Sequence, residues 1–176
     1  MTLIDLSREI HHKMARLPNH PMVIIAPFST HEEKRVADGY TFSSAVTSLN
    51  MGDHSGTHVD APLHFDERPG AMGIDEMPLE TFFTEAVCLD LSHKELKSDI
   101  GIDDLQAAER AAGIEIRPGR NNFEVHHVCR DMGFTHMEGL VNLDKLVGKG
   151  RFRFIGFPLK IRGGTGSPIR AVAWLE

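Results

Sequence analysis

Several features that would assign a chain to a class on their own are scarce or missing in these 176 residues. The only cysteines are Cys88 and Cys129, too few for a disulfide scaffold, so we expect buried free thiols in a reducing compartment. A net charge of -6 without a long basic run excludes the electrostatic pattern of a nucleic-acid-binding protein. No apolar run approaches the ~18 residues of a transmembrane helix, and the start MTLIDLSREIHHKM lacks the apolar core of a signal peptide. We therefore expect a cytoplasmic protein with no membrane or nucleic-acid partner.

Familiar catalytic signatures are missing as well. The chain has no G-x-S-x-G nucleophile elbow, no H-E-x-x-H and no P-C-x-x-C of the zinc deaminases. The glycine-rich stretch RGGTGSP, residues 162 to 168, lacks the lysine and the spacing of a phosphate-binding loop, which favours a tight hairpin turn. A nucleophilic role for Cys129 is disfavoured because the helix predicted around it looks partly buried.

The hydrophobic pattern predicts one α/β domain over residues 1 to 176, with a mixed sheet and a few short helices. The clearest helix is IDDLQAAERAAG, which has acids in its first turn and a glycine at its end. Further helical segments are predicted at LETFF, 125 to 133 and NLDKLVGKG. Strands are predicted at 2 to 6, 22 to 28 (mostly buried), 44 to 52, 86 to 92 (buried), FTHMEGL, 151 to 161 and 171 to 175, and a turn at IRPGRNN.

Histidine is abundant: the chain has 11, and three of them lie in the segment HSGTHVDAPLHF, residues 54 to 65. On a helix, Asp60 would point about 160° away from His58, so a single helix cannot aim both at one ion. On a strand, residues 54 and 60 would lie about 20 Å apart, too far for a metal with bonds of about 2 Å. The segment must therefore curl if these side chains meet. Gly56 permits an unusual backbone angle and Pro62 fixes one, which is typical of a strand bending into a loop.

The chemistry of this segment suits a metal site. Two imidazoles and a carboxylate, from His54, His58 and Asp60, are apt ligands for Zn²⁺ or Mn²⁺. His64 has an unperturbed pKa near neutrality and is placed to exchange a proton with an ion-activated water. The competing interpretation is a polar surface turn in a histidine-rich chain, with His64 as a hydrogen-bonded structural residue.

The segment HSGTHVDAPLHF resembles the HxGTHxDxPxHF signature of the metal-dependent cyclase family, which includes bacterial kynurenine formamidases and isatin hydrolases. LIDLSREI resembles the family's opening strand, MEGLVNLDKL its later glutamate segment, and FPLKIRGGTGSPIRAVAWL its closing hairpin. The resemblance implies a sheet-rich β/β/α domain of the swivelling type, assembled as a homodimer or homotetramer.

The resemblance also implies roles for individual residues. His54, His58 and Asp60 would bind a metal, and His64 would be the catalytic acid and base. Where a second ion is present, Asp60 would bridge and a later histidine and glutamate would complete the site, which map onto His126 and Glu138. His127 and His136 lie nearby but lack the family's spacing of twelve residues before the glutamate. An exposed helix position for His126 and a surface salt bridge for Glu138 remain alternatives.

One departure from the family stands out. Between IEIRPG and FEVHH, relatives carry several dozen more residues, whereas only Arg120, Asn121 and Asn122 intervene here. The chain thus resembles a member shortened around 119 to 123, or one from which a segment is omitted. Such a shortening would remove a strand from the sheet and a wall from the pocket.

Three functions are consistent with these observations. The first is a metal-dependent hydrolase of a small amide or lactam, N-formylkynurenine-like or isatin-like, that uses a water activated by one or two divalent ions. It would belong to the arylformamidases of tryptophan catabolism or to the isatin hydrolases. The second is a degenerate family member that binds metal or a ligand without turnover. The third is an oligomeric structural protein whose histidines acquire metal adventitiously.

Overall fold

The computed structural model describes residues 1–113 and 125–176. The turn predicted at IRPGRNN and the junction at 119 to 123 lie outside the described residues, as does the side chain of His127. The strands are β1 Thr2–Asp5, β2 Ile24–Ser29, β3 Arg35–Ala37, β4 Tyr40–Phe42, β5 Val46–Asn50, β6 His58–Asp60, β7 Phe83–Val87, β8 Met137–Glu138, β9 Arg151–Ile155, β10 Gly166–Pro168 and β11 Val172–Leu175. The α-helices are α1 Pro62–Phe65, α2 Ile102–Ala112 and α3 Val125–Met132, with single 3-10 turns at Leu79–Phe82 and Leu143–Lys145.

The strands form two larger sheets and two ribbons. A four-stranded sheet has the order β1-β11-β9-β7, and a three-stranded sheet has the order β10-β6-β8. The ribbons pair β2 with β5 and β3 with β4, and every pair between these strands is antiparallel. The predicted sheet-rich α/β domain with few short helices is confirmed, whereas the parallel pairs that a mixed sheet requires do not occur between the described strands. Within the described ranges, no helix is long and apolar enough to span a bilayer.

The hydrophobic core lies between the four-stranded sheet and the three-stranded one. Phe152 and Phe154 alternate along β9 and face this core, together with Phe82 from the turn before β7. Val59 of β6 and Ala61 just after it are fully buried in the same cluster. Because β6 is anchored by these apolar side chains, its two polar neighbours, His58 and Asp60, are held on the opposite face.

Helix α2 begins and ends as the sequence predicts. The carboxylate of Asp104 accepts a hydrogen bond from the backbone N–H of Gly101 at 2.8 Å, which satisfies an otherwise unpaired N-terminal group. Gly113 ends the helix in the left-handed conformation with φ +67°.

Several boundary and burial predictions are wrong. The strand expected at 22 to 28 is mostly exposed, because among the described strands β2 pairs only with β5, in a ribbon outside the two main sheets. The buried strand expected at 86 to 92 runs instead from Phe83 to Val87. The strand expected through FTHMEGL shrinks to Met137–Glu138, and the one expected at 151 to 161 ends at Ile155. The tight turn expected at 162 to 168 is in part strand β10, which pairs with β6.

Candidate metal centre

The centre is built on the pairing of β6 with β8. His58 lies opposite Glu138 in this antiparallel ladder, and Val59 lies opposite Met137. The N–H of Asp60 donates to the carbonyl oxygen of His136 at 3.1 Å, which extends the register by one residue. Side chains alternate along both strands, so His58, Asp60, His136 and Glu138 project from the same face.

The residues before β6 curl back as the geometry of the sequence requires. Gly56 has φ +70° and turns the chain so that His54 returns towards the strand. Nδ1 of His54 lies 2.7 Å from Oδ1 of Asp60, and Nε2 of His54 lies 2.9 Å from the hydroxyl of Thr165. The curl thus brings His54 to the carboxylate that it could not reach along a straight strand.

Strand β10 holds the other side of His54. The carboxylate of Asp53 accepts hydrogen bonds from the N–H and hydroxyl of Thr165 and from the N–H of Gly166, at 3.0, 2.7 and 3.2 Å. A Cβ on Gly166 would lie 2.6 Å from the His54 ring, so this position has room only for glycine. The glycine-rich segment therefore serves as a wall that fixes His54.

The two oxygens of Asp60 face different groups of histidines. Oδ1 lies 2.7 Å from Nδ1 of His54 and 3.4 Å from Nε2 of His58. Oδ2 lies 3.4 Å from Nε2 of His126 and 3.2 Å from Nε2 of His136. One carboxylate therefore connects two clusters of ligand atoms, as a bridging ligand does.

Burial and hydrogen bonding act on Asp60 in opposite directions. Its side chain is only 1% exposed. Burial alone would raise the pKa of this carboxyl, but hydrogen bonds from His54 and His58 and the charges of His54 and His64 hold it well below its usual range. For His58, burial opposes protonation, yet the hydrogen bonds to Asp60 and to the Gly56 carbonyl raise the pKa of the ring. The carboxylate is therefore a permanent buried anion that requires positive charge beside it.

His64 approaches the centre from α1, which follows β6 directly. Its Nε2 lies 3.9 Å from Oδ2 of Asp60, and its ring centroid lies 4.0 Å from that of His54. Burial and the neighbouring positive charge of His54 lower the pKa of His64, despite the opposing effect of Asp60. Its imidazole is therefore largely neutral near pH 7 and able to accept a proton.

His136 occupies a position that the sequence did not assign to the site. Its Nε2 lies 2.9 Å from Oε1 of Glu138, and its Nδ1 lies 3.2 Å from Sγ of Cys129 on α3. Burial and the nearby charge of Asp60 raise the pKa of the Cys129 thiol to about 11, so that it remains protonated. Cys129 is a fully buried free thiol, as expected, whereas Cys88 is only partly buried.

The structure brings all six sequence-predicted residues into one cluster: His54, His58, Asp60, His64, His126 and Glu138. Sequence reasoning passed over His136, Asp53 and Thr165. Strand alternation offered a signal for the first of these, because residues two apart on a strand share a face. The other two depend on the pairing of β6 with β10, which local patterns do not give.

The donor atoms fit divalent cations. In the part of the chain that the structure describes, two sets have ligand atoms that all lie within 4.8 Å of one another: His54, His58 and Asp60, and Asp60, His126, His136 and Glu138. Imidazole and carboxylate are the ligands of zinc and manganese sites. A dication would also neutralise the buried carboxylate that the two sets share.

Two cavities lie near this region. One of about 350 Å³ is bordered by His54, His58 and Glu138 together with Arg8, Arg16 and His20. A larger one of about 770 Å³ is mostly apolar, and none of the candidate ligands lines it. The smaller cavity is therefore the one that opens on the metal-ligand cluster, and its size suits a small molecule.

Known proteins with similar sequences include one family model and several curated relatives. A family model described as putative cyclase matches residues 4–121. A kynurenine formamidase of Salinibacter ruber is 29% identical over 98% of this chain and 97% of the relative. A kynurenine formamidase of Sphingopyxis alaskensis is 25% identical, over 96% and 95% of the two chains. The first alignment runs over 215 positions, 39 more than the 176 residues of this chain, so the chain is shorter than that relative.

Solved structures share the fold. Isatin hydrolase A from Ralstonia solanacearum superposes with a TM-score of 0.74 at 21% identity, covering 99% of this chain and 92% of the other. A crystal structure described as a novel cyclase gives a TM-score of 0.78 at 16% identity, covering 99% of this chain and 88% of the other.

Proposed function

Because the chain belongs to the cyclase family, we propose that it is a metal-dependent hydrolase that cleaves the C–N bond of a small amide or lactam. Its substrate is N-formylkynurenine-like or isatin-like, by analogy with the kynurenine formamidases and isatin hydrolases that it resembles. The observation that carries the proposal is the buried carboxylate of Asp60, flanked by histidines on both oxygens and set beside a small cavity.

The cofactor in this proposal is Zn²⁺ or Mn²⁺, as one or two ions. His54, His58 and Asp60 would hold the first ion, and His126 and Glu138 would share Asp60 to hold the second. When bound, such an ion polarises a carbonyl oxygen and makes a water acidic near neutral pH.

His64 is the proton carrier of the proposed reaction. Its Nε2 faces the same oxygen of Asp60 as His126 and His136 do, so it borders the cluster without a short contact to its centre. The neutral ring accepts the proton of the attacking water at Nε2 and then donates it to the nitrogen that leaves the carbonyl carbon. Hydrolysis thereby yields a carboxylic acid and an amine, with His64 returned to its starting state.

The proposal includes a cytoplasmic homodimer or homotetramer. Support for assembly comes from large apolar side chains that the ribbons leave exposed, among them Phe28, Tyr40 and Leu49. Light scattering coupled to size-exclusion chromatography measures the assembly state directly.

A degenerate member that binds metal without turnover is the second candidate. It is favoured by the shortness of the chain relative to the Salinibacter ruber enzyme, since missing residues remove part of the surroundings of the site. Turnover measurements separate it from the first candidate.

The test uses purified protein that is stripped with a chelator and reconstituted with Zn²⁺ or Mn²⁺. We expect tight metal binding, and hydrolysis of N-formylkynurenine or isatin that is lost on chelation and restored by the ion. His64→Ala should retain the metal and lose about 10²–10⁴-fold in kcat, which is the usual contribution of a general acid and base. His93→Ala, an exposed histidine remote from the cluster, is the matched control.

The outcomes separate the candidates. Metal binding without hydrolysis of either substrate would support the degenerate member. If dialysis removes the metal from the wild type and from His54→Ala alike, metal binding is adventitious and both metal-dependent candidates are wrong.

A further inference from the structure

We infer that His136 is a direct ligand of the second ion, an inference that rests on the proposed function. Its Nε2 would complete a set of four protein ligands with Asp60, His126 and Glu138. The position on the Oδ2 side of Asp60 is then closed, whereas the position on the Oδ1 side has three ligands and stays open.

The separations between ligand atoms match a four-coordinate site. With bonds of about 2.0–2.2 Å, tetrahedral ligands lie roughly 3.4 Å from one another. Oδ2 of Asp60 lies 3.2 Å from Nε2 of His136 and 3.4 Å from Nε2 of His126. Nε2 of His126 lies 3.8 Å from Oε1 of Glu138. From the carboxylate that both histidines face, His126 therefore meets this spacing and His136 lies close to it.

The separation that departs most from this spacing is the hydrogen bond of 2.9 Å between His136 and Glu138. A hydrogen bond brings its two atoms closer than ligands of a common ion lie. A shift of about half an ångström converts one arrangement into the other, and the half-exposed Glu138 is free to make it.

Burial and a neighbouring thiol orient the His136 ring. Its side chain is 15% exposed, against 40% for His126 and 43% for Glu138. Nδ1 faces Sγ of Cys129 at 3.2 Å, so Nε2 is the nitrogen directed at the carboxylates. In proteins, a metal-binding histidine is usually held through its other nitrogen in this way.

The number of ligands gives the two positions different roles, one structural and one catalytic. Sites with four protein ligands are typically structural, whereas catalytic sites keep a place for water or substrate. The closed set joins helix α3, through His126, to strands β6 and β8. An ion there would fasten α3 to the sheet, and chemistry would take place at the open position.

Ion counting tests the inference. Wild-type protein is dialysed with excess Zn²⁺ and its metal content measured by mass spectrometry, and the affinity of each site is determined by competition with a chelating dye. We expect two ions per chain in the wild type and one in His136→Ala, in which the second ion should bind more than 100-fold more weakly. Cys129→Ala is the matched control, because losing an outer partner of a ligand costs roughly 10–100-fold.

A second measurement does not depend on the variant folding. In crystals of the zinc-loaded wild type, anomalous scattering should show an ion within about 2.0–2.1 Å of His136 Nε2. Two bound ions with neither in contact with His136, or a second-ion affinity less than about 100-fold weaker in a folded His136→Ala, would overturn the inference. A wild type that hydrolyses its substrate with one ion would overturn it and leave the proposed function intact. A wild type that binds no ion would contradict both the inference and the proposed function.

Discussion

Replacing Gly166 with alanine tests whether the metal centre requires a residue without a Cβ at this position. The added Cβ would lie 2.6 Å from Cε1 of His54 and 2.7 Å from the carbonyl oxygen of Val59. The second contact is with the backbone of β6 and cannot be relieved by a side-chain rotation. Gly166 does not have a positive φ, so the expected damage comes from the collision and not from backbone strain. Either β10 must move away from β6, or His54 must leave Asp60.

Overpacking of this kind costs about 1–3 kcal/mol. For a domain of this size, 1 kcal/mol shifts the melting temperature by roughly 2–4 °C, so we expect a decrease of about 2–12 °C. Thermal melts followed by circular dichroism measure this shift in metal-free protein. Metal analysis should show weaker binding by the His54, His58 and Asp60 set in the same variant.

Gly101→Ala is the control, since the nearest atom to its added Cβ is 3.8 Å away at the start of α2. Alanine is a poorer N-cap than glycine, so this control is expected to lose some stability but no metal. A Gly166→Ala protein with the melting temperature and metal content of the wild type would refute the argument that His54 needs this space.

Two further predictions concern residues around the centre and at the sheet edge. Thr57 is buried, and its hydroxyl donates to the Gly139 carbonyl at 2.7 Å and accepts from the Arg8 N–H at 2.8 Å. Thr57→Val should therefore lower the free energy of unfolding in urea by about 1–3 kcal/mol. Thr57→Ser keeps the hydroxyl and loses only a buried methyl group, so it should lose less; equal losses would contradict this account. The hydrogen bonds from Arg170 hold the pKa of Asp5 below the ordinary value of 3.8. Asp5→Asn should therefore be slightly less stable than the wild type at pH 7, and this difference should shrink as the pH falls below 3.8 in a series of urea titrations at low salt; a constant difference would contradict the assignment.

The first half of the centre could be predicted because it is local. His54, His58, Asp60 and His64 lie within one short segment, and bond lengths alone required that segment to curl. Its resemblance to a family signature then pointed to His126 and Glu138, which spacing would not have selected.

His136 was missed for a physical reason. Its place beside Asp60 follows from the register between β6 and β8. The paired residues Val59 and Met137 are 78 positions apart in the sequence, and no local pattern encodes that register. Thr165 and Gly166 were missed in the same way, because the segment 162 to 168 has the composition of a turn. Despite this composition, residues 166 to 168 form a strand because they pair with β6.

The exposure of β2 could not be predicted either. Its apolar residues favour a strand, and a strand forms, but burial depends on what covers it. Within the described residues, β2 pairs only with β5. The hydrophobic composition therefore predicted the strand correctly but its burial wrongly.

If the centre binds two ions as proposed, the division of Asp60 between two groups of histidines would make binding at the two positions thermodynamically interdependent. An ion on Oδ1 would withdraw electron density from Oδ2 and place a positive charge close to the neighbouring position, so an ion at either position should bind more weakly when the other is occupied. By linkage, the two ions weaken each other by the same factor. Occupancy of the centre should therefore follow two separated steps as the metal concentration rises, and the cell's supply of metal would determine which form of the protein prevails.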